Sequence, residues 1–370
     1  MRFSCMKNVL QNNINLVSKA VAGKTTMPIL ECILLTADDN GLRLTASDME
    51  LGIETKNIEA DIIEMGKIAV EAKIFGEIIR NLPDGELTFS CDEKNVVVIN
   101  CGKAEFKILG KNGNEFPLLA EISKNFCYEI NSQVFKNMIK QTLFSVSTDE
   151  NKIVFTGELM DIKNNKLNLV SVDGFRVSLR EYRFENDVPD IKAIVIAKAL
   201  SEIERIAPDD ENENIKIYFS EKEVLFELEN CIMIARLLEG NFVKYESLFN
   251  DNYTTKININ RQSFLRAMER ASLISQKSKN SPIKINIKPS DEIEISSSTE
   301  YGESFENVEC DIEGSELVIG FNPKYLIEAM RAIDDEDISI QFLTAISPCI
   351  IKSDNEDCNY KYLIIPLKLN

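Results

Sequence analysis

Three times along the chain, a short alternating run leads straight into apolar side chains at helical spacing. Residues 3–21, 128–146 and 256–274 share this layout. The first stripe is Val9, Leu10, Ile14, Leu16 and Val17; the second is Val134, Phe135, Met138, Ile139, Leu143 and Phe144. The third is Phe264, Leu265, Met268, Leu273 and Ile274. Steps of three and four put such residues on one face of a helix, so helices are expected over 7–22, 131–147 and 260–275.

A second landmark recurs as well. Val70-Glu71-Ala72-Lys73-Ile74-Phe75, Val195-Ile196-Ala197-Lys198-Ala199-Leu200 and Gly320-Phe321-Asn322-Pro323-Lys324-Tyr325-Leu326 each leave a β-branched strand and open an amphipathic helix with a lysine. They lie 125 and 126 residues apart and predict helices over 71–82, 196–207 and 322–334. Paired strands should follow each, at 87–91 with 96–100, 215–220 with 224–228, and 338–343 with 348–353. Asp84-Gly85, Pro208-Asp209-Asp210 and Asn355-Glu356-Asp357 supply turns nearby. The strands Leu42-Arg43-Leu44-Thr45-Ala46-Ser47-Asp48 and Leu167-Asn168-Leu169-Val170-Ser171-Val172-Asp173 repeat at 125 residues too. A fixed period is the mark of a repeated unit. The expected fold class is α+β: three copies, at 1–125, 126–253 and 254–370, each with two helices packed on roughly eight antiparallel strands.

Composition narrows the function. At 44% hydrophobic and 28% charged residues the chain reads as globular. No run approaches the roughly 18 apolar residues of a membrane span. The start, Met1-Arg2-Phe3-Ser4-Cys5-Met6-Lys7, has no apolar core of a secretory signal, so a cytoplasmic location is expected. The nine cysteines never fall closer than nine residues apart, which excludes CxxC metal knuckles and redox pairs. Buried, reduced thiols are expected instead. Histidine is absent, so His-based triads and His-ligated metals are impossible. Neither GxGxxG nor GxxxxGK[ST] occurs. We therefore expect no catalytic residue, no metal and no cofactor. Carboxylate catalysis through Asp48 and Asp173 is the enzymatic alternative, although their equivalent positions in the repeat favour a turn. A scaffold that binds no DNA is the other.

Charge sharpens the picture. The net charge is −18, yet the six predicted helices together carry +6 and the remainder −24. The three first helices hold all of that excess, +2 apiece. Basic elements in an acidic body can attract phosphates locally while repelling nucleic acid elsewhere. Weak contact that ignores sequence suits a protein that moves along DNA.

An ordered set of motifs then resembles one family from end to end: the bacterial DNA polymerase III beta subunits. These motifs are Thr26-Met27-Pro28-Ile29-Leu30, Leu44-Thr45-Ala46-Ser47-Asp48-Met49-Glu50, Glu115-Phe116-Pro117, Ser147-Thr148-Asp149-Glu150, Val172-Asp173-Gly174-Phe175-Arg176, Gly320-Phe321-Asn322 and Ile365-Pro366-Leu367-Lys368-Leu369. The resemblance implies three clamp domains that close, as a head-to-tail homodimer, into a six-domain ring around double-stranded DNA. It implies a clamp loader that opens the ring. It further implies polymerases, ligase and mismatch-repair proteins that dock through short linear peptides. No membrane is involved.

Position by position, the implied peptide groove comprises Phe155, Val172, Gly174, Phe175, Arg176, Val177, Val243, Leu248, Tyr325, Ile346, Pro348, Ile364, Ile365, Pro366 and Leu367, with Arg176 orienting the peptide. The DNA-facing candidates are Lys24, Lys73, Arg80, Lys136, Lys140, Lys152, Lys198, Arg205, Arg266, Arg270, Lys277 and Lys279. For the dimer interface the nominees are Phe106 and Ile108 on an edge strand, against Leu273 and Ile274. Three departures from the family pattern bear on peptide preference. Phe175 stands where a His is usual, Val243 where a Pro is, and Ser247 where an Arg is common.

Overall fold

A computed structural model describes residues 1–210, 212–250, 252–275, 282–353 and 359–369. Lys277, Lys279 and the turn signal at 355–357 lie outside these. Among the described residues, six helices appear where the periodicity placed them: α1 (Lys7–Val17), α2 (Ala72–Asn81), α3 (Ser132–Thr142), α4 (Ala197–Ile206), α5 (Arg261–Ser275) and α6 (Pro323–Ala332). None of these helices is long and apolar enough to cross a membrane.

Side chains at the helix starts explain the sharp boundaries. Glu71 accepts from the backbone N–H groups of Lys73 and Ile74 ahead of α2, and Asn322 accepts from Lys324 with Pro323 in the first turn of α6. Asn131 and Asn260 do the same for α3 and α5, accepting from Val134 and Ser263. The first helices of the three copies also share a device at their C-terminal ends. Ser18 and Thr142 donate their hydroxyls to the carbonyls four residues back, on Ile14 and Met138, and Ser275 donates to Ser272. Such back-bonding weakens the helical ladder. α1 and α3 accordingly tighten into 3₁₀ turns at Ser18–Ala20 and Leu143–Ser145, which is why they stop short of the expected 22 and 147.

The chain divides into two compact units, residues 1–135 with 202–237 and residues 136–201 with 238–370. The first unit holds a five-stranded sheet, ordered Asp61–Glu64, Arg2–Met6, Glu86–Cys91, Val96–Cys101, Ala104–Leu109. It also holds a nine-stranded sheet in which Leu51–Thr55 pairs with Cys231–Arg236. The second unit is built on one twelve-stranded antiparallel sheet, in which Arg176–Arg183 pairs with Tyr360–Ile364. These two junctions, 51–55 with 231–236 and 176–183 with 360–364, are counterparts in the repeat, their first strands lying 125 residues apart.

The turns leading into them are counterparts as well. Asp48 Oδ1 accepts from Glu50 and Leu51, and Asp173 Oδ1 accepts from Phe175 and Arg176. Each turn has its second residue in the left-handed region, Met49 at φ 78° and Gly174 at φ 94°. Both carboxylates thus hold the backbone of their turns, the structural role that their equivalent positions in the repeat favoured.

The buried core is dominated by Ile, Val, Leu and Phe, including Phe3, Phe75 and Phe89 in the first unit and Phe264, Phe321 and Phe342 in the second. Cys5, Cys32, Cys101, Cys231 and Cys349 are buried and free; Cys91, Cys127 and Cys310 are free and partly covered. Burial pushes the Cys5, Cys231 and Cys349 thiols up to about 12, far from the thiolate range.

Candidate functional site

In the second unit an apolar cluster gathers Leu159, Val170, Val172, Val177, Leu179, Ile194, Tyr245 and Leu363, with Val154, Phe155, Leu238, Phe242, Val243 and Phe249 packed against it. Four predicted groove residues, Phe155, Val172, Val177 and Val243, therefore meet at one place. Strand alternation brings them there: Val172 and Val177 face each other in register across the Asp173 turn, and Val177 pairs onward with Leu363. Phe155 packs edge-on against Phe242 at 5.8 Å. Leu248, Ile346, Pro348 and Ile365 are exposed, and Pro366 is half-buried.

One wall is a column of rings. Phe175 is 55% exposed and stacks on Tyr325 at 6.1 Å. The Arg176 guanidinium lies 4.7 Å from the centre of the Tyr325 ring and 5.1 Å from that of Phe144. Gly174 is open at the turn, with the Lys152 ammonium 3.6 Å from where a β-carbon would stand. Lys152 is thereby placed at the edge of this wall.

Arg176 is buried, and its nitrogens are engaged: Nε to Asp173 at 2.9 Å, Nη1 to Glu328 at 2.5 Å and Nη2 to the Phe144 carbonyl at 2.7 Å. Three of its five N–H donors thus brace the wall from behind. Two expectations need correcting. Ile364 belongs to the C-terminal core cluster, and its neighbour Leu363 packs with Val172 and Val177 instead. Leu367 donates its N–H to the Gly320 carbonyl at 2.8 Å, which ties the C-terminal segment to strand Leu317–Phe321. Sequence reasoning missed Leu363 and Tyr245. Alternation from Val177 through the pairing of 176–183 with 360–364 would have selected Leu363, but that pairing is not visible in the sequence.

The matching place in the first unit is different. A cavity of about 110 Å³ is lined there by Met49, Glu50, Leu51, Leu118, Leu119 and Arg236, among others. Leu119 stands 2.3 Å from a β-carbon built on Gly52, so the chain itself fills the space that Val177 borders in the second unit.

The basic candidates separate by their partners. Lys140 pairs with Asp334 at 3.0 Å, Arg205 with Glu202 at 2.8 Å, and Arg270 with Glu306 through two nitrogens at 2.6 and 2.8 Å. Lys136 and Lys198 also have partners. Lys24, Lys73, Arg80, Lys152 and Arg266 are exposed and form no ion pair with any side chain among the described residues. Lys324 and Arg331 on α6 stand at the repeat positions of Lys198 and Arg205 and were missed; they pair with Glu328 and Glu269.

Each unit also carries a bare sheet edge. Strand Ala104–Leu109 ends its sheet, with Phe106 and Leu109 exposed and Ile108 half-buried. In the second unit, Gly302–Glu309 pairs, among the described strands, only with Glu292–Thr299, because pairing with Thr255–Asn260 begins at Cys310. Its Phe305 is 67% exposed, and Leu273 at the end of α5 is 64% exposed with Ile274 half-buried. Phe305 is the interface candidate that the sequence did not offer.

Three family models match in order: DNA polymerase III beta subunit N-terminal domain over 1–120, central domain over 129–244 and C-terminal domain over 246–368. The Bacillus subtilis beta sliding clamp is 34% identical over 380 residues, covering both chains completely. The chain belongs to the bacterial beta sliding clamp family. Solved family structures agree over the full length of both chains. The Bacillus subtilis DNA polymerase sliding clamp superposes with a TM-score of 0.96 at 33% identity, and the Streptococcus pyogenes DNA polymerase beta subunit with 0.96 at 30%. The family assignment covers all three domains, and with them the groove residues and both bare edges.

Proposed function

We propose that this chain works as a sliding clamp, a non-catalytic ring that encircles duplex DNA and holds polymerases to it in the cytoplasm. Two copies would join head to tail, so that three domains each, divided near residues 125 and 253, give a ring of six. The observation that carries this reading is the full-length match to sliding clamps in a chain that, among the described residues, offers an apolar sheet edge in each unit. An unpaired edge is a liability unless something covers it. The row at Phe106, Ile108 and Leu109 is suited to pair with the row at Phe305, backed by Leu273 and Ile274. A head-to-tail contact of this kind closes when its rotation does.

The groove around Val172, Val177, Phe155 and Leu363 would receive the short peptides of polymerases, a ligase and mismatch-repair proteins; an apolar slot with exposed backbone at its rim suits such segments. Lys24, Lys73, Arg80, Lys152 and Arg266 would supply the loose phosphate contacts, because their charges are not already spent on carboxylates. Sedimentation tests the assembly: the wild type should be a dimer, and Phe106→Asp should shift it to monomer with the fold intact. A wild type that stays monomeric at all concentrations would remove the ring.

A further inference from the structure

Behind the groove lies a carboxyl group that the docking role does not use. Glu158, on strand Gly157–Lys163, is fully buried. Its Oε1 accepts from the Ser171 hydroxyl at 2.7 Å, and its Oε2 has no donor. The other polar group acting on it is the Thr142 hydroxyl at the end of α3. Thr142 already donates its proton to the Met138 carbonyl at 2.7 Å, so toward Glu158 it can only accept. An ionised carboxylate would leave Oε2 facing lone pairs in a dry interior, an arrangement that costs free energy. A protonated one would donate from Oε2 to Thr142 and accept at Oε1 from Ser171.

We propose that Glu158 is held as a neutral carboxylic acid that positions the docking groove, its proton linking the end of α3 to the strand pair that carries the groove wall. Ser171 precedes Val172, and Ser171 lies opposite Ser178, which follows Val177. Ser178 in turn meets Ser145 at 2.5 Å, beyond the end of α3. The same two strands thus present valines to the groove and hydroxyls to this network. Charged groups on the surrounding elements include Lys136 and Lys140 on α3, Arg176 and Arg180 beyond Ser171, Lys192 on the neighbouring strand, and Asp161 and Lys163 on Glu158's own, and burial and hydrogen bonds outweigh all of them at Glu158. Lys140, Arg176 and Lys192 are committed to Asp334, to Asp173 and Glu328, and to Asp161 respectively. Burial is the largest influence on the Glu158 proton and pushes the group up to about 8, against the Ser171 hydrogen bond, which favours the charged form.

The sign follows from that direction. With the folded value raised above the ordinary 4.5, the folded state holds a proton that the unfolded chain gives up. Its contribution to stability is full below the unfolded value and is lost as pH rises to about 8. Docking responds in a higher window, where the folded protein itself loses the proton.

The role in docking rests on the proposed peptide groove, and the experiment separates the two. Tm and the affinity for a short clamp-binding peptide are measured from about pH 5 to about pH 9.5 for wild type, Glu158→Gln and the apolar Glu158→Met. The Tm of Glu158→Gln relative to wild type should rise by about 3 °C or more between the low and neutral ends and then level off. Wild-type affinity should fall several-fold above the folded value, while that of Glu158→Gln stays level. A Tm difference independent of pH for both variants overturns the neutral acid. A Tm difference that grows while wild-type and Glu158→Gln docking stay parallel overturns the link to the groove. Absence of docking by every variant at every pH contradicts the groove itself, and the Tm series still decides the acid.

Discussion

Arg176 illustrates what a single residue type does and does not announce. Its guanidinium bridges two carboxylates and a carbonyl, and flat rings lie on both sides of it. Removing the guanidinium takes the shortest partner from Glu328, the side-chain partner from Asp173 and the donor from the Phe144 carbonyl, so Arg176→Ala should destabilise the protein by about 3 kcal/mol, as read by urea unfolding. Arg176→Lys should recover little of that, because an ammonium cannot make the forked contacts. Equal stability of all three proteins would show that the bridge is idle. The sequence placed Arg176 at the site but did not reveal what it braces. Glu328 is 152 positions away, and no local pattern reveals a partner that distant. The cysteines were easier to read, since apolar neighbours in the sequence already announce burial. With Cys5, Cys231 and Cys349 pushed up to about 12, they should resist thiol reagents at neutral pH in the folded state and react at once when unfolded.

Elements were legible where local chemistry sets their limits. The 3.6-residue stripe located all six helices, four of them to within a turn, because that signal is contained in neighbouring residues; α1 and α3 stop five residues early. Strand partners were not, since pairing such as 176–183 with 360–364 joins segments far apart in the chain. Knowing the period predicts that a junction recurs; it does not say which face each residue of the incoming strand takes, hence Ile364 in place of Leu363. Helix charge follows the same division. Counting lysines and arginines found the basic helices, but only the fold shows which of them are already neutralised. Alanine at Lys24, Lys73, Arg80, Lys152 and Arg266 together should flatten the salt dependence of DNA binding, by about 0.9 in the log–log slope for each phosphate no longer neutralised. The same change at Lys140, Arg205 and Arg270 should alter it less. Identical slopes for the two sets would refute the sorting by ion pairs.

At the scale of the whole molecule, the repeat explains how one design serves different ends. The Asp48 and Asp173 turns are built alike, yet the first meets Leu119 from its own chain and the second opens beside Phe175 and Val177. Equivalent frames can thus be closed in one copy and available in another. The ring itself was expected only through the family resemblance, because symmetry between chains leaves no period within one. What the single chain contributes is its pair of bare edges and its unspent cations. The most direct test loads the protein with a clamp loader and ATP onto circular DNA, then linearises the DNA and follows retention over a range of salt. A topological ring stays on circles, even at high salt, and leaves promptly through the new ends. Equal retention on both forms, falling smoothly as salt rises, would mean ordinary electrostatic binding and would contradict the clamp.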